Sequence, residues 1–202
     1  MVIKREGFEG WRVFWAATLA LAAMALGLLV AAGWDVEGYR LVIRVTARTS
    51  LIFFLAAFAA SAAAKLWPNG FTRWLRRNRR QLGLSFAMSH FIHALAIYAF
   101  YSVDPDTFWS LQNAGALATG GIAYVFIALL AATSFDRMVR AMGPKSWSWL
   151  HWAGVWFIAI SFIFTNGKRI PVSGYYAIPV AMVLIAIALR IIAARQKKAA
   201  MA

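Results

Sequence analysis

The sequence predicts an all-α fold: a polytopic membrane protein built as a six-transmembrane-helix bundle with both termini cytoplasmic. Three observations lead there. The 202 residues are 62% hydrophobic and 14% charged, with a mean hydropathy of +0.66, well above the apolar share of a soluble domain. Apolar runs long enough to cross a bilayer at about 20 residues per span fill the chain as one domain, 1–202, and leave no room for a separate soluble catalytic domain. The bases also gather in alternate loops, which is how a multi-pass chain records its orientation.

The first run, about 12–33, carries no charge between Arg12 and Asp35; it is too long for the apolar core of a signal peptide and is read as a retained helix. The second, about 47–66, contains the Ala-rich stretch 56–64, whose small side chains suit close helix packing in lipid. The third and fourth runs cover about 82–102 and 113–134, the fifth and sixth about 147–166 and 174–194. With the N-terminus inside, 16 of the 21 Lys and Arg fall on the inner side, while Arg40, Arg44, Arg48, Lys168 and Arg169 stay outside with four of the seven acids. This fits insertion in a bacterial inner membrane. The net charge of +14 is therefore a topology signal, and no nucleic-acid partner is expected. The basic stretch 72–80 is read as lying against anionic headgroups, with a docking surface for a soluble partner as the alternative. Trp34, Trp67, Trp74, Trp109, Trp147 and Trp149 fall near span ends, as an interfacial belt does.

The absence of cysteine excludes disulfides, thiolate chemistry and Cys-ligated iron–sulfur clusters. All three histidines, His90, His93 and His151, lie within predicted spans, where an ionisable group is costly and so a functional candidate. A buried imidazole that merely bonds a neighbouring helix is the plainer alternative for any one of them. His90 and His93 are three residues apart and share one side of the third helix. Counting from Leu82 at about 1.5 Å per residue puts them about 12 and 16 Å inside the inner boundary, and His151 about 6–8 Å inside. The third and fifth helices run in the same direction, so their imidazoles can face each other across a gap. Two neutral imidazoles from parallel helices are what a b-type haem needs for its axial bonds without covalent attachment. A zinc site wants more ligands than the chain offers, and the acids sit in or near loops. Ser85, Ser89 and Ser161 have no nearby carboxylate for a triad and are read as bonding helix carbonyls. No catalytic residue is assigned.

The run Arg79-Arg80-Gln81-Leu82-Gly83-Leu84, followed by His93 and Tyr98, resembles the entry to the third helix of ferric-reductase-like transmembrane domains. Among these it is most similar to the haem-binding membrane subunits of bacterial methionine sulfoxide reductase systems. Thr46-Ala47-Arg48-Thr49-Ser50-Leu51 resembles the start of their second helix, and Trp149-Leu150-His151 that of their fifth. The resemblance covers the whole six-span layout. It implies haem b and an electron-transfer subunit of an oxidoreductase system, taking electrons from a cytoplasmic flavin reductase or quinol and passing them to an outer-side redox partner.

One departure stands out. The family has a further His about 13 residues along the fifth helix, where this chain has Phe164. A two-haem wire with four histidines is therefore out of reach, and one haem is expected. In the family pattern the residue matching His93 pairs with that absent histidine, so a bond between His93 and His151 is an inference of its own; His90 is nearer His151 in estimated depth. Arg48, Arg79 and Arg80 are candidates for the haem propionates, since Arg presents a bidentate fork to a carboxylate. Boundary charge is the alternative role for all three. Two other functions compete: a haem-poor scaffold or assembly partner, in which the histidines bond between helices, and a small transporter, which would call for a broken helix or an inverted repeat.

Overall fold

The computed structural model describes residues 7–199. Lys4 and Arg5, counted above with the inner bases, lie outside the described residues, as do the side chains of Lys197 and Lys198. Nine α-helices are formed among the described residues: α1 (Trp11–Ala32), α2 (Val36–Leu66), α3 (Gly70–Arg77), α4 (Arg79–Val103), α5 (Pro105–Ser110), α6 (Ala114–Ala132), α7 (Asp136–Met142), α8 (Pro144–Gly167) and α9 (Ala177–Ala199), the last preceded by a 3₁₀ turn over Gly174–Tyr176. Six of them, α1, α2, α4, α6, α8 and α9, are long and apolar enough to cross a membrane. They correspond one to one with the six apolar runs.

Local chemistry sets the ends. Asp35 caps α2 by accepting the Gly38 N–H at 3.0 Å, and Glu37 in the first turn pairs with Arg40 at 2.8 Å. The helix therefore begins well before the apolar run, carrying Arg40, Arg44 and Arg48 within its first half, and reaches 31 residues. Asn69 and Thr72 close a capping box on α3, so part of the basic loop is helical. Asp104 caps α5, with Pro105 in the first turn, where its missing N–H costs nothing. Asn113 caps α6.

Two groups of helices pack side by side. In one, α4 lies against α2 along much of its length with α1 alongside; in the other, α8 contacts α6 and α9, and the groups join through α2–α9 and α4–α6 contacts. The central core contains Leu51, Phe54, Phe58, Phe86, Ile127, Ile158 and Val183. The α2–α4 seam is polar as well as tight. Thr46, Ser50, Ser85 and Ser89 are fully buried, with Ser85 Oγ donating to the Gln81 carbonyl and Ser89 Oγ crossing to the Thr46 carbonyl at 3.2 Å. The hydroxyls thus satisfy carbonyls inside the bundle, as the sequence leads one to expect.

Candidate functional site

The two histidines of α4 are three residues apart, yet they face different partners. His93 turns toward α2, where its Nδ1 lies 3.0 Å from Thr46 Oγ1. That hydroxyl has one hydrogen, and at 2.6 Å it is given to the Val42 carbonyl. Thr46 therefore accepts from Nδ1–H, which places the free lone pair of His93 on Nε2. A fixed tautomer of this kind is how a second neighbour prepares an imidazole for a metal.

His90 turns the other way. Its ring lies 4.6 Å from Phe86, 5.8 Å from Tyr124 of α6 and 6.2 Å from Phe162 of α8, centroid to centroid, and 5.7 Å from His93. His90 Nδ1 and the Tyr124 hydroxyl are both buried with no hydrogen-bond partner. Buried polar atoms are ordinarily paired, and these two stand on neighbouring rings; Gln81, Trp156 and Thr18 carry the other unpaired buried groups among the described residues.

His151 is placed elsewhere. Phe162 shares the level of His90 through its contacts with Phe86 and His90, and His151 precedes Phe162 by eleven residues, about 16 Å along the helix. The structure thus brings His90 and His93 together and sets His151 apart, toward the end of α8 that carries Pro144. Its Nε2 lies 3.0 Å from Thr133 Oγ1, whose proton goes to the Leu129 carbonyl. Trp147 lies against the His151 ring, tilted by 32° with centroids 4.3 Å apart, and donates Nε1–H to the Thr133 carbonyl. Trp147 is therefore a neighbour of His151 as well as a span-end tryptophan. At the level of His93, α8 offers no imidazole: Phe162 points inward and Phe164 outward, 70% exposed.

Of the arginines, Arg79 lies within electrostatic range of both His151 and Arg190. Arg80 pairs with Asp136 of α7. Arg48 is exposed, two residues and so about 200° around α2 from Thr46, on the side away from His93. Arg190, which the charge pattern marks only as an inner base, donates to the Phe58 carbonyl at 2.8 Å and sits over the Phe58 ring at 4.3 Å.

Thr133 and Tyr124 were not singled out by sequence, and Thr46 appeared only within a motif. No sequence signal set them apart from the other hydroxyls of the six runs; their partners are brought up only by helix packing. The donor set would offer a haem iron one imidazole of α4, and among the described residues α8 brings no imidazole to the same level.

The chain matches the ferric reductase like transmembrane component family over residues 44–162, a stretch that includes Thr46 and all three histidines. Three curated relatives are each named protein-methionine-sulfoxide reductase heme-binding subunit MsrQ. That of Rhodospirillum rubrum is 35% identical over 105 residues, 50% of this chain and 48% of the relative. That of Ralstonia nicotianae is 32% identical over 114 residues, 54% and 50%, and that of Herminiimonas arsenicoxydans 36% over 81 residues, 39% and 37%. The chain thus spans about half or less of the length of these relatives. No solved structure matches it. With six membrane-crossing helices and a family match over more than half its length, the chain is a multi-pass integral membrane protein that belongs to the ferric reductase like transmembrane component family.

Proposed function

We propose that this chain is the haem-binding, electron-carrying membrane subunit of an oxidoreductase system. With one b-type haem bound, the chain would carry electrons from a cytoplasmic flavoprotein or quinol to an acceptor on the outer side of a bacterial inner membrane, both chain termini lying in the cytoplasm. The observation that carries this reading is the His93–Thr46 hydrogen bond, which, with the Thr46 proton on the Val42 carbonyl, puts the His93 proton on Nδ1 and its lone pair on Nε2 inside a bundle of this family. The named function of the matched relatives supports it.

Haem supplies a one-electron carrier; the chain supplies its setting. An imidazole of α4, from His90 or His93, would hold the haem iron. Arg79, within electrostatic range of His151 and Arg190, would be the cation offered to propionate carboxylates. Arg80, held by Asp136, links α4 to α7. Arg48 faces away from His93 and serves at the protein surface. The packed aromatic rings around His90 exclude water, which keeps the carrier in a low-dielectric setting. Catalysis on a substrate belongs to another chain in this scheme.

The visible spectrum of the detergent-purified chain, oxidised and dithionite-reduced, with a pyridine haemochrome assay, tests the reading. A Soret band and about one haem per chain are expected. Colourless protein from haem-replete cells would favour the scaffold reading, which the outward Phe164 and the separate His151 also fit.

A further inference from the structure

We propose that the first two turns of α8 hold one anionic phospholipid of the inner leaflet, its phosphate on Lys145 and its two acyl chains on either side of Trp149. The site is separate from the haem reading and takes from it only the assignment of this end of α8 to the cytoplasmic side. Two open grooves meet here, of about 510 and 640 Å³, the first reaching Ser148 and Trp152 and the second Ser146 and Leu150. Lys145 and Trp149 line both. Four residues apart on one helix face, they form the ridge between the grooves. A diacyl lipid has the matching shape, a charged head with two chains that part below it.

Charge and polarity select this occupant. Lys145 is exposed and has no ion-pair partner among the described residues, and the adjoining α7 adds the exposed bases Arg137 and Arg140. The acid nearest in sequence, Asp136, is taken by Arg80. This surplus of positive charge complements an anionic headgroup. The hydroxyls of Ser102, Ser110 and Ser134 return to carbonyls of their own helices, whereas those of Ser146 and Ser148 make no hydrogen bond among the described residues and stand free for phosphate oxygens. Below the head lies an apolar stripe. Trp149, Ile160 and Phe164 are all exposed and fall within about 60° of one another around α8. The eleven residues from Trp149 to Ile160 cover about 16 Å, the depth of one leaflet. An acidic soluble protein would use the charge and leave the stripe uncovered; a lipid uses both. An interfacial tryptophan belt accounts for Trp149 and Trp152, but not for paired grooves around an unpaired lysine. The other side of the same two turns carries Trp147 and His151 against Thr133, so a lipid seated here braces the segment that positions His151.

The test is native mass spectrometry of the detergent-purified whole chain, titrated with dioleoyl phosphatidylglycerol or dioleoyl phosphatidylcholine, with thermal unfolding in the same mixtures. We expect one phosphatidylglycerol to be retained per chain in preference to phosphatidylcholine, and to raise the unfolding midpoint. Lys145→Gln should weaken that retention about fivefold or more, the scale of one basic residue at an anionic surface. Lys145→Arg should keep it, and Arg76→Gln, which removes an exposed base outside the grooves, should leave it unchanged. Equal retention of the two lipids, or an effect of Lys145→Gln no larger than that of Arg76→Gln, would overturn the proposal and reduce the site to ordinary boundary lipid. A midpoint raised as far by inorganic phosphate alone would overturn it in favour of a free-anion site. The haem reading is untouched by any of these outcomes, since the visible spectrum tests it separately.

Discussion

At His93 the decisive neighbour is a threonine 47 residues away. Replacing Thr46 with Val keeps the shape and removes the acceptor, so the His93 N–H is left buried and unpaired at a cost of about 1–3 kcal/mol. Thr46→Ser retains the hydroxyl. We expect Thr46→Val to lower the unfolding midpoint of the detergent-solubilised chain and to shift its haem spectrum, and Thr46→Ser to restore both; equal behaviour of the two variants would show that the hydroxyl does not set the tautomer. The histidines themselves were legible in the sequence because imidazoles stand out in apolar runs. Their partners were not, because Thr46, Tyr124 and Thr133 acquire meaning only through the register of one helix against another. The same register separates His151 from His90 by about 16 Å, where linear counting from each helix start puts them about 4–6 Å apart in depth. Counting fixes distance along a helix and says nothing of how far two helices are displaced along each other.

Among the elements, α2 shows where composition stops being a guide. Its apolar half was legible, but its first half carries Arg40, Arg44 and Arg48, so hydropathy alone places its start too late. The capping by Asp35 and the α1–α2 turn determine the true beginning. Gly33 there has φ +102°, a left-handed region that favours glycine, and a Cβ added at Gly38 would collide with the Gly33 carbonyl oxygen. Gly38→Ala is expected to destabilise the α1–α2 hairpin by about 1–3 kcal/mol, read as a lower unfolding midpoint; wild-type stability in that variant would mean the turn relaxes freely. At the other hairpin on this face, hydrogen bonds from the Thr107 side chain and backbone hold the Asp104 carboxyl below its ordinary value. A depressed carboxyl stabilises above its unfolded pKa and loses that contribution as pH falls through the folded one. Hydrogen exchange at Thr107, corrected for intrinsic rate, should therefore lose protection on acidification, and Asp104→Asn, which can still cap, should make protection independent of pH in that range.

For the molecule as a whole, the number of spans was legible and the way one face is tied together was not. On that face Trp74 of α3 donates to the Phe8 carbonyl at 2.7 Å, Arg77 pairs with Glu9, Asn78 accepts from the Gly10 N–H at 2.7 Å, and Arg80 reaches Asp136 of α7. These contacts join the start of α1 to α3, α4 and α7 and divide the basic residues by role. Arg77 and Arg80 are exposed but held in ion pairs, whereas Arg76, Arg137 and Arg140 are exposed and in no ion pair among the described residues. A docking test must therefore spare the first pair. If the exposed bases attract an acidic electron donor, reversing Arg76, Arg137 and Arg140 to Glu slows the second-order reduction of the chain by about tenfold or more at low salt, because steering raises association rates by that order and above. The rate of the variant also becomes less sensitive to ionic strength, since screening acts through the same charges. Stopped-flow reduction by a soluble flavin reductase at several salt concentrations measures both quantities. An unchanged rate and an unchanged salt slope would assign these arginines to membrane topology and headgroup contact alone, leaving the donor to approach through the lipid as a quinol.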